Sequence, residues 1–426
     1  MSTFSTPELL LPDEADLAGF AGLFEESSLI GATAGGGLHR LAASEEDGRV
    51  RDLFCGWLKE RGFDVRVDAV GNIFGLLTFD EHAPYVLCGS HLDSQPSAGR
   101  FDGVYGVLAA AVAIASLARQ IRQRGERPAC NLCVVNWTNE EGARFQPSLT
   151  GSSVYTGAMT LEQALACRDE RGISLQAALD KIGYLGDWVP DIHVAAYVET
   201  HVEQGSGLES SKLAIGVVRE TWAALKWRVR FDGEQNHTGP TPMAQRRDAL
   251  LAAAHAVVAV RAAAEPHGLA MHSSVGRLDV YPNSPNVVAS WATLLIEFRS
   301  QSVELLQETA EQFQLTLERI AKLTGTCVDV EEKRLRSPLK LDRELSDLAH
   351  DTAAQLDLPV GNSVTVAGHD AISMSHVYPT CLMFVPSSNG VSHNEAEFTA
   401  EQDLRNGLRV LTALLYRICT QPPVRR

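Results

Sequence analysis

Several short segments carry side chains able to bind a metal ion or move a proton, and most of them follow an apolar run. YVLCGS leads to His91 and Asp93, LCVVNWTN to Glu140 and Glu141, AAYVET to His201, and CLMFVPSSNGVS to His393. Asp102 stands in the glycine-flanked loop GRFDG, ahead of an alanine-rich stretch. Imidazole nitrogen and carboxylate oxygen, without thiolate, suit zinc, manganese, cobalt or nickel. Three histidines and two carboxylates exceed one tetrahedral site, and they fit two ions if one carboxylate bridges. Asp102 is the bridging candidate, because a short side chain on a tight loop has little freedom. Asp93 lies two residues after His91, so on an extended segment the two share a side. Asp93 is therefore expected to accept the second ring N–H of His91 and fix its tautomer. Glu140 and Glu141 are adjacent. Alternation along an extended chain would point them in opposite directions, which suits two unlike tasks.

These residues need elements that bring them together. Strands are expected at Tyr85–Cys88, Leu132–Trp137 and Ala195–Glu199, with a helix from Asp102 to about Gln120. Strands alternating with helices imply an α/β layer with a mostly parallel sheet flanked by helices. In such sheets functional groups collect beyond the carboxyl ends of the strands. Near residue 212 the pattern changes. SKLAIGVVRETWAALKWRVRFDG reads as one or two strands, Pro242–Ala264 as a helix, Ser273–Val280 and Val287–Arg299 as strands, Val303–Leu323 as a helix and Cys327–Glu331 as a strand. This fits a smaller α+β sandwich inserted in the larger domain. The expected division is a catalytic domain over 1–212 and 333–426, with the insertion at 213–332. The tail, with a helix at LSDLAHDTAAQL, a strand at CLMFVP and a helix from Glu401, should rejoin the first domain.

The bulk composition narrows the functional classes. The chain has 426 residues, 45% hydrophobic, which suits two or three domains and a large core. A formal net charge of −16 argues against nucleic acid and anionic membrane surfaces as partners. The N-terminus has no basic n-region, so a cytoplasmic protein is expected. The apolar runs from Gly103 and Leu250 are shorter than the ~18 residues of a membrane span and read as buried helices. The eight cysteines are scattered, as in a reducing compartment. Cys130-x-x-Cys133 enters an apolar strand run with no second pair at zinc-site spacing, and is read as structural.

Taken together, GSHLDS…GRFDGVYGV, NEEGARF followed by PSLTGS, YVETHVEQG, NHTGPTPM…RRDA and SHNEAEF resemble the hydantoinase/carbamoylase family of metal-dependent amidohydrolases. That family lies within the di-zinc aminoacylase and carboxypeptidase superfamily, and the resemblance runs from about Gly35 to SHNEAEFT. It implies a catalytic α/β domain interrupted by a lid and dimerisation domain, a homodimer, and two divalent ions, zinc foremost. It implies His91, Asp102, Glu141, His201 and His393 as ligands, Asp102 as the bridge and Glu140 as general acid/base. His237 would stabilise the oxyanion, and Gln204, Asn286 and Arg299 would bind the substrate carboxylate, for which the arginine fork is suited. The histidine at 201 stands where peptidase relatives place an acidic residue, which favours the carbamoylase branch. The implied reaction is hydrolysis of a ureido C–N bond in a carbamoyl amino acid, allantoate, ureidoglycine or ureidoglycolate, or β-ureidopropionate. An aminoacylase or dipeptidase, a hydrolase using one metal, and a non-catalytic dimeric binding protein are the alternatives. Ala98, Gln146, Ala289-Ser290 and Val366 depart from the family pattern without removing a ligand.

Overall fold

Uninterrupted apolar runs build the middle of an eight-stranded sheet. LCVVNW has no polar alternation, and the strand that contains it is buried along its whole length, as expected for a strand covered on both faces. In the computed structural model, which describes residues 9–420, the sheet is formed by β1 (Asp64–Val67), β2 (Ile73–Leu77), β3 (Tyr85–His91), β4 (Asn131–Trp137), β5 (Val194–Val202), β6 (Ile215–Thr221), β13 (Val360–Thr365) and β14 (Thr380–Val385). Their order is β1-β2-β4-β3-β5-β14-β6-β13. The central four, β4, β3, β5 and β14, are mutually parallel, whereas β1, β2 and β6 pair antiparallel. Parallel pairing sends the carboxyl ends of four strands to one edge. His91 at the end of β3 is in register with Trp137 at the end of β4, and His201 in β5 with Phe384 in β14.

The alanine-rich stretch forms a helix at Val104–Arg124. Its small residues Ala109, Ala110, Ala111 and Ala113 are buried in the same core as Leu408, Leu411 and Leu414 of the C-terminal helix Glu401–Thr420. This helix starts at Val104 rather than Asp102, because Gly103 adopts φ +67° and separates the Asp102 loop from it.

By contacts the chain divides into two units. One runs to Arg219 and takes in Leu341–Ser363 and the chain from Ala367 on. The other is Glu220–Lys340 with Val364–Val366. The smaller unit holds β7 (Ala223–Asp232), β8 (Asn236–His237), β9 (Met271–Tyr281), β10 (Val287–Val288), β11 (Trp291–Ser300) and β12 (Cys327–Arg336). Four of these form an antiparallel sheet, β12-β7-β11-β9, and β8 pairs with β10. Helices Ala249–Ala264 and Val303–Thr324 share a core with it, through Ala253, Ala256, Phe313 and Leu317 against Trp227 and Phe298.

Two expected elements are shorter or divided. The helix expected from Pro242 begins at Ala249, where the Asp248 carboxylate accepts the N–H groups of Leu250 and Leu251 and caps it. The strand expected over Val287–Arg299 breaks after Val288, and Ser290 donates to the Tyr281 carbonyl. Both apolar runs, read as shorter than a membrane span, continue through polar residues into helical stretches of 21 and 22 residues. Both Val104–Arg124 and Ala249–Ala270 are long and apolar enough to cross a membrane, but 83% of the first one's apolar window is buried in the protein and 33% of the second's. The first is thus a core helix.

Candidate metal centre

The strand ends deliver three imidazoles around one carboxylate. His201 Nε2 lies 3.0 Å from Asp102 Oδ1, and His91 Nε2 lies 3.5 Å from the same oxygen. His393 Nε2 lies 3.2 Å from Asp102 Oδ2 and 3.4 Å from Glu141 Oε2. Asp102 therefore divides the donors into His91–Asp102–His201 and Asp102–Glu141–His393, each compact enough to hold one ion. The rings are aimed by their other nitrogens. His91 Nδ1 is 2.9 Å from the Asp93 carbonyl and His201 Nδ1 is 2.8 Å from the Val202 carbonyl. Carbonyls only accept, so each Nδ1 carries a proton, and each Nε2 faces Asp102 as the ring atom that a metal ion would take. Gly103 makes the close approach possible. A Cβ there would lie 2.3–2.5 Å from atoms of the His91 ring, and its φ of +67° also disfavours a side chain.

Two sequence expectations need correction here. The group that orients His91 is the Asp93 backbone carbonyl, not its carboxylate, which is 3.8 Å from the ring. β3 ends at His91, so strand alternation no longer governs Asp93. Its carboxylate instead accepts the backbone N–H groups of Glu140 (3.3 Å) and Glu141 (3.4 Å). The two glutamates also owe their separation to a turn rather than to a strand. β4 stops at Trp137, and Asn139 takes φ +56°. The Asn139 amide holds that turn by donating to the carbonyls of Phe145 and Pro147 and to Thr150 Oγ1. The outcome is that Glu140 Oε2 sits 3.5 Å from His91 Nε2 while Glu141 faces His393.

The site is rich in negative charge, and its donors are largely buried except His393, whose side chain is 47% exposed. Burial pushes Glu140 well above the usual carboxyl range, and Asp370, Glu141 and Asp102 add to the rise while His91 opposes it. Burial and then Asp102 bring Glu141 to about 7. Burial works against the Asp102 charge too, but hydrogen bonds from His201, His393 and His91 hold it well below its ordinary range. His393 rises to about 9, since its hydrogen bond to Asp102 and the nearby Glu141 outweigh burial. Protons thus stand where cations would be expected. Glu141 Oε1 is buried with no hydrogen-bond partner, and the two Asp102 oxygens face separate nitrogen donors. A nitrogen-and-oxygen donor set with an orphaned carboxylate oxygen fits divalent ions.

Comparison with known proteins places the chain in a family. The peptidase family M20/M25/M40 model matches residues 87–417. The chain belongs to that family. It is 35% identical to an N-carbamoyl-L-amino-acid amidohydrolase of Rhizobium meliloti, over 91% of this chain and 92% of that one. It is 32% identical to an allantoate amidohydrolase of Bacillus subtilis, over 91% of this chain and 94% of that one. A crystal structure of a hydantoinase/carbamoylase family amidase from Burkholderia vietnamiensis superimposes with a TM-score of 0.91 at 34% identity, covering 97% of this chain and 99% of that one. This member of the M20/M25/M40 family is accordingly a hydrolase of carbon–nitrogen bonds.

The remaining sequence candidates are distributed differently. Gln204 joins the centre, with φ +59° and its amide donating to Asp102 Oδ2 at 2.6 Å. His237, Asn286 and Arg299 are in the smaller unit. His237 and Asn286 are exposed neighbours, since Thr238 donates to the Asn286 carbonyl and His237 is in register with Val287. Arg299, on β11, donates to the Val366 carbonyl (2.5 Å) and to Glu297 Oε2 (2.8 Å). Gln146, a departure from the family pattern, folds its amide onto the Gly142 carbonyl at 2.5 Å.

Three residues of the centre escaped the sequence reading. Gln95 donates to Glu141 Oε2 at 2.9 Å. Glu199 accepts from Ser90, Tyr197 and the Ala371 N–H, so although it groups with His201 and His369 its oxygens are already committed to the fold. Glu397 contacts the Asp102 loop. For Glu199 the available signal was parity with His201, two residues on in the same strand.

Proposed function

We propose that this protein hydrolyses the ureido C–N bond of an N-carbamoyl amino acid or a related ureido acid such as allantoate, with amine, carbon dioxide and ammonia as products. The observation that carries this reading is Asp102 set between two donor groups, with Glu140 buried beside the first. Two divalent ions held by His91–Asp102–His201 and Asp102–Glu141–His393 would, when bound, lower the pKa of water and polarise the ureido carbonyl. Zinc is the first choice, and manganese, cobalt and nickel share the donor preference. Glu140 belongs to neither donor group. Its raised proton affinity suits a general acid/base that takes a proton from water and returns it to the leaving nitrogen. Asp93 holds the backbone of the Glu140–Glu141 turn. His237 is assigned to the oxyanion, and Gln204, Asn286 and Arg299 to the substrate carboxylate. Arg299 would exchange its present partners for that group.

The smaller unit is assigned the role of lid and dimerisation domain, the larger that of catalytic domain. The homodimer reading is supported by exposed apolar residues along one helix, Leu250, Leu251, Val257 and Val258. A cytoplasmic location is supported by eight cysteines, all free.

Ammonia and amine release should be measured over carbamoyl amino acids, allantoate, ureidoglycolate and β-ureidopropionate, beside N-acyl amino acids and dipeptides, with each metal. A ureido acid is expected to be turned over and the acyl compounds to be poor. Preference for an N-acyl amino acid or dipeptide would establish the aminoacylase or dipeptidase reading instead.

A further inference from the structure

We propose that Glu397 is a positioning residue that sets the spacing between the two donor groups by tying the Asp102 loop to the His393 loop. The proposal rests on the two-ion reading above. Glu397 is 5% exposed, and its carboxylate is shared between the loops. Oε1 accepts the backbone N–H groups of Phe101 (3.0 Å) and Asp102 (3.1 Å), and Oε2 accepts the hydroxyl of Ser392 at 3.0 Å. Ser392 immediately precedes His393, whose backbone is held at φ +52°. One side chain thus fixes the peptide that carries the bridging aspartate and the residue next to a ligand of the second group.

The surroundings are built to this contact. A Cβ at Gly99 would lie 2.3 Å from Glu397 atoms, so the loop can run against the glutamate only as glycine. Glu395, two residues earlier, takes the hydroxyl of Thr33, and Cβ atoms at Gly35 or Gly37 would overlap its side chain. SHNEAEF therefore fastens to two glycine-containing loops through alternate glutamates. The physical need is clear. Asp102 and His393 are 291 positions apart, yet Oδ1 and Oδ2 of one carboxylate must serve two donor groups at once. Without Glu397 the buried N–H groups of Phe101 and Asp102 would lose their acceptor, and the loop would relax to find another.

The test is zinc titration of the metal-free full-length protein by chelator competition, with cobalt(II) visible spectra and circular dichroism alongside. Wild type should bind two equivalents. Glu397→Ala should weaken the second equivalent by about 10–100-fold, the usual cost of losing a group that orients a ligand, and alter the cobalt spectrum. Glu397→Gln should stay near wild type, because its carbonyl oxygen can accept both N–H groups while its amide donates to Ser392. Ser392→Ala cuts the tie to the His393 loop, together with the weaker 3.4 Å contact of the same hydroxyl with Asp102 Oδ2, and should weaken one equivalent with unchanged circular dichroism. It decides the matter should Glu397→Ala fail to fold. Wild-type affinity and spectra in Glu397→Ala or Ser392→Ala, or loss in Glu397→Gln equal to that in Glu397→Ala, would overturn the proposal. Fewer than two equivalents in wild type would overturn the two-ion reading itself.

Discussion

Replacing Glu140 with glutamine exchanges an oxygen for an NH2 group in a residue that is 6% exposed. In the metal-free protein, burial and the neighbouring carboxylates keep the Glu140 carboxyl well above its ordinary range. That shift favours the uncharged carboxyl, which glutamine matches in charge and shape. Stability of the metal-free protein should change by less than ~1 kcal/mol. Zinc content should also hold, since Glu140 lies outside both donor groups. The loss should fall on turnover. General acid/base catalysis is worth about 10²–10⁴-fold. At 1.36 kcal/mol per decade, that is roughly 2.7–5.4 kcal/mol of barrier. The assay is steady-state ammonia release on the best ureido acid, with zinc analysis and thermal melting of the same preparations. A kcat within threefold of wild type would remove Glu140 from the acid/base role. Loss of a zinc equivalent would make it a ligand and would refute the division of work between the two glutamates.

Gly103→Ala should lower stability by at least ~2 kcal/mol in denaturant titration, because positive φ and a Cβ 2.3 Å from the His91 ring act together. It should also weaken zinc binding, and unchanged stability and affinity would show that the Asp102 loop yields freely. Zinc binding should release protons at pH 7. His393, near 9, is protonated there and must deprotonate to ligate. Apparent affinity should therefore rise with pH above 7, by about tenfold per pH unit for each proton released, and weaken as pH falls. Calorimetry in buffers of different ionisation enthalpy would measure this, and no proton uptake by the buffer at pH 7 would contradict the His393–Asp102 contact.

The parts of the fold legible in the sequence were those with a long, unambiguous pattern. LCVVNW and YVLC could only be buried strands, and the alanine-rich run after Asp102 could only be a packed helix. The short β10 and the true start of the helix at Ala249 were harder. Each is decided by local hydrogen bonds, at Ser290 and Asp248, that periodicity does not report. In the centre, residue type and position at strand ends or a helix start pointed to His91, Asp102, His201, His393 and the Glu140–Glu141 pair, and the family resemblance singled out Glu141 as the ligand. Orientation was not legible. Asp93 parity with His91 suggested a carboxylate contact, but the chain leaves the strand at His91 and offers a carbonyl instead.

By itself, the sequence determined the chemistry of the donors, imidazole and carboxylate without thiolate, and the strand ends that carry them. Donor type is a property of each residue, and an apolar run declares its own burial. Tertiary structure decided which oxygen of Asp102 meets which imidazole, that a turn at Asn139 parts Glu140 from Glu141, and that Glu397 binds the Asp102 loop. These depend on distances of about 3 Å between segments as much as 296 positions apart, such as Phe101 and Glu397. Spacing along a chain carries no information at that range. The pairing of parallel strands and the packing of glycine loops supply it.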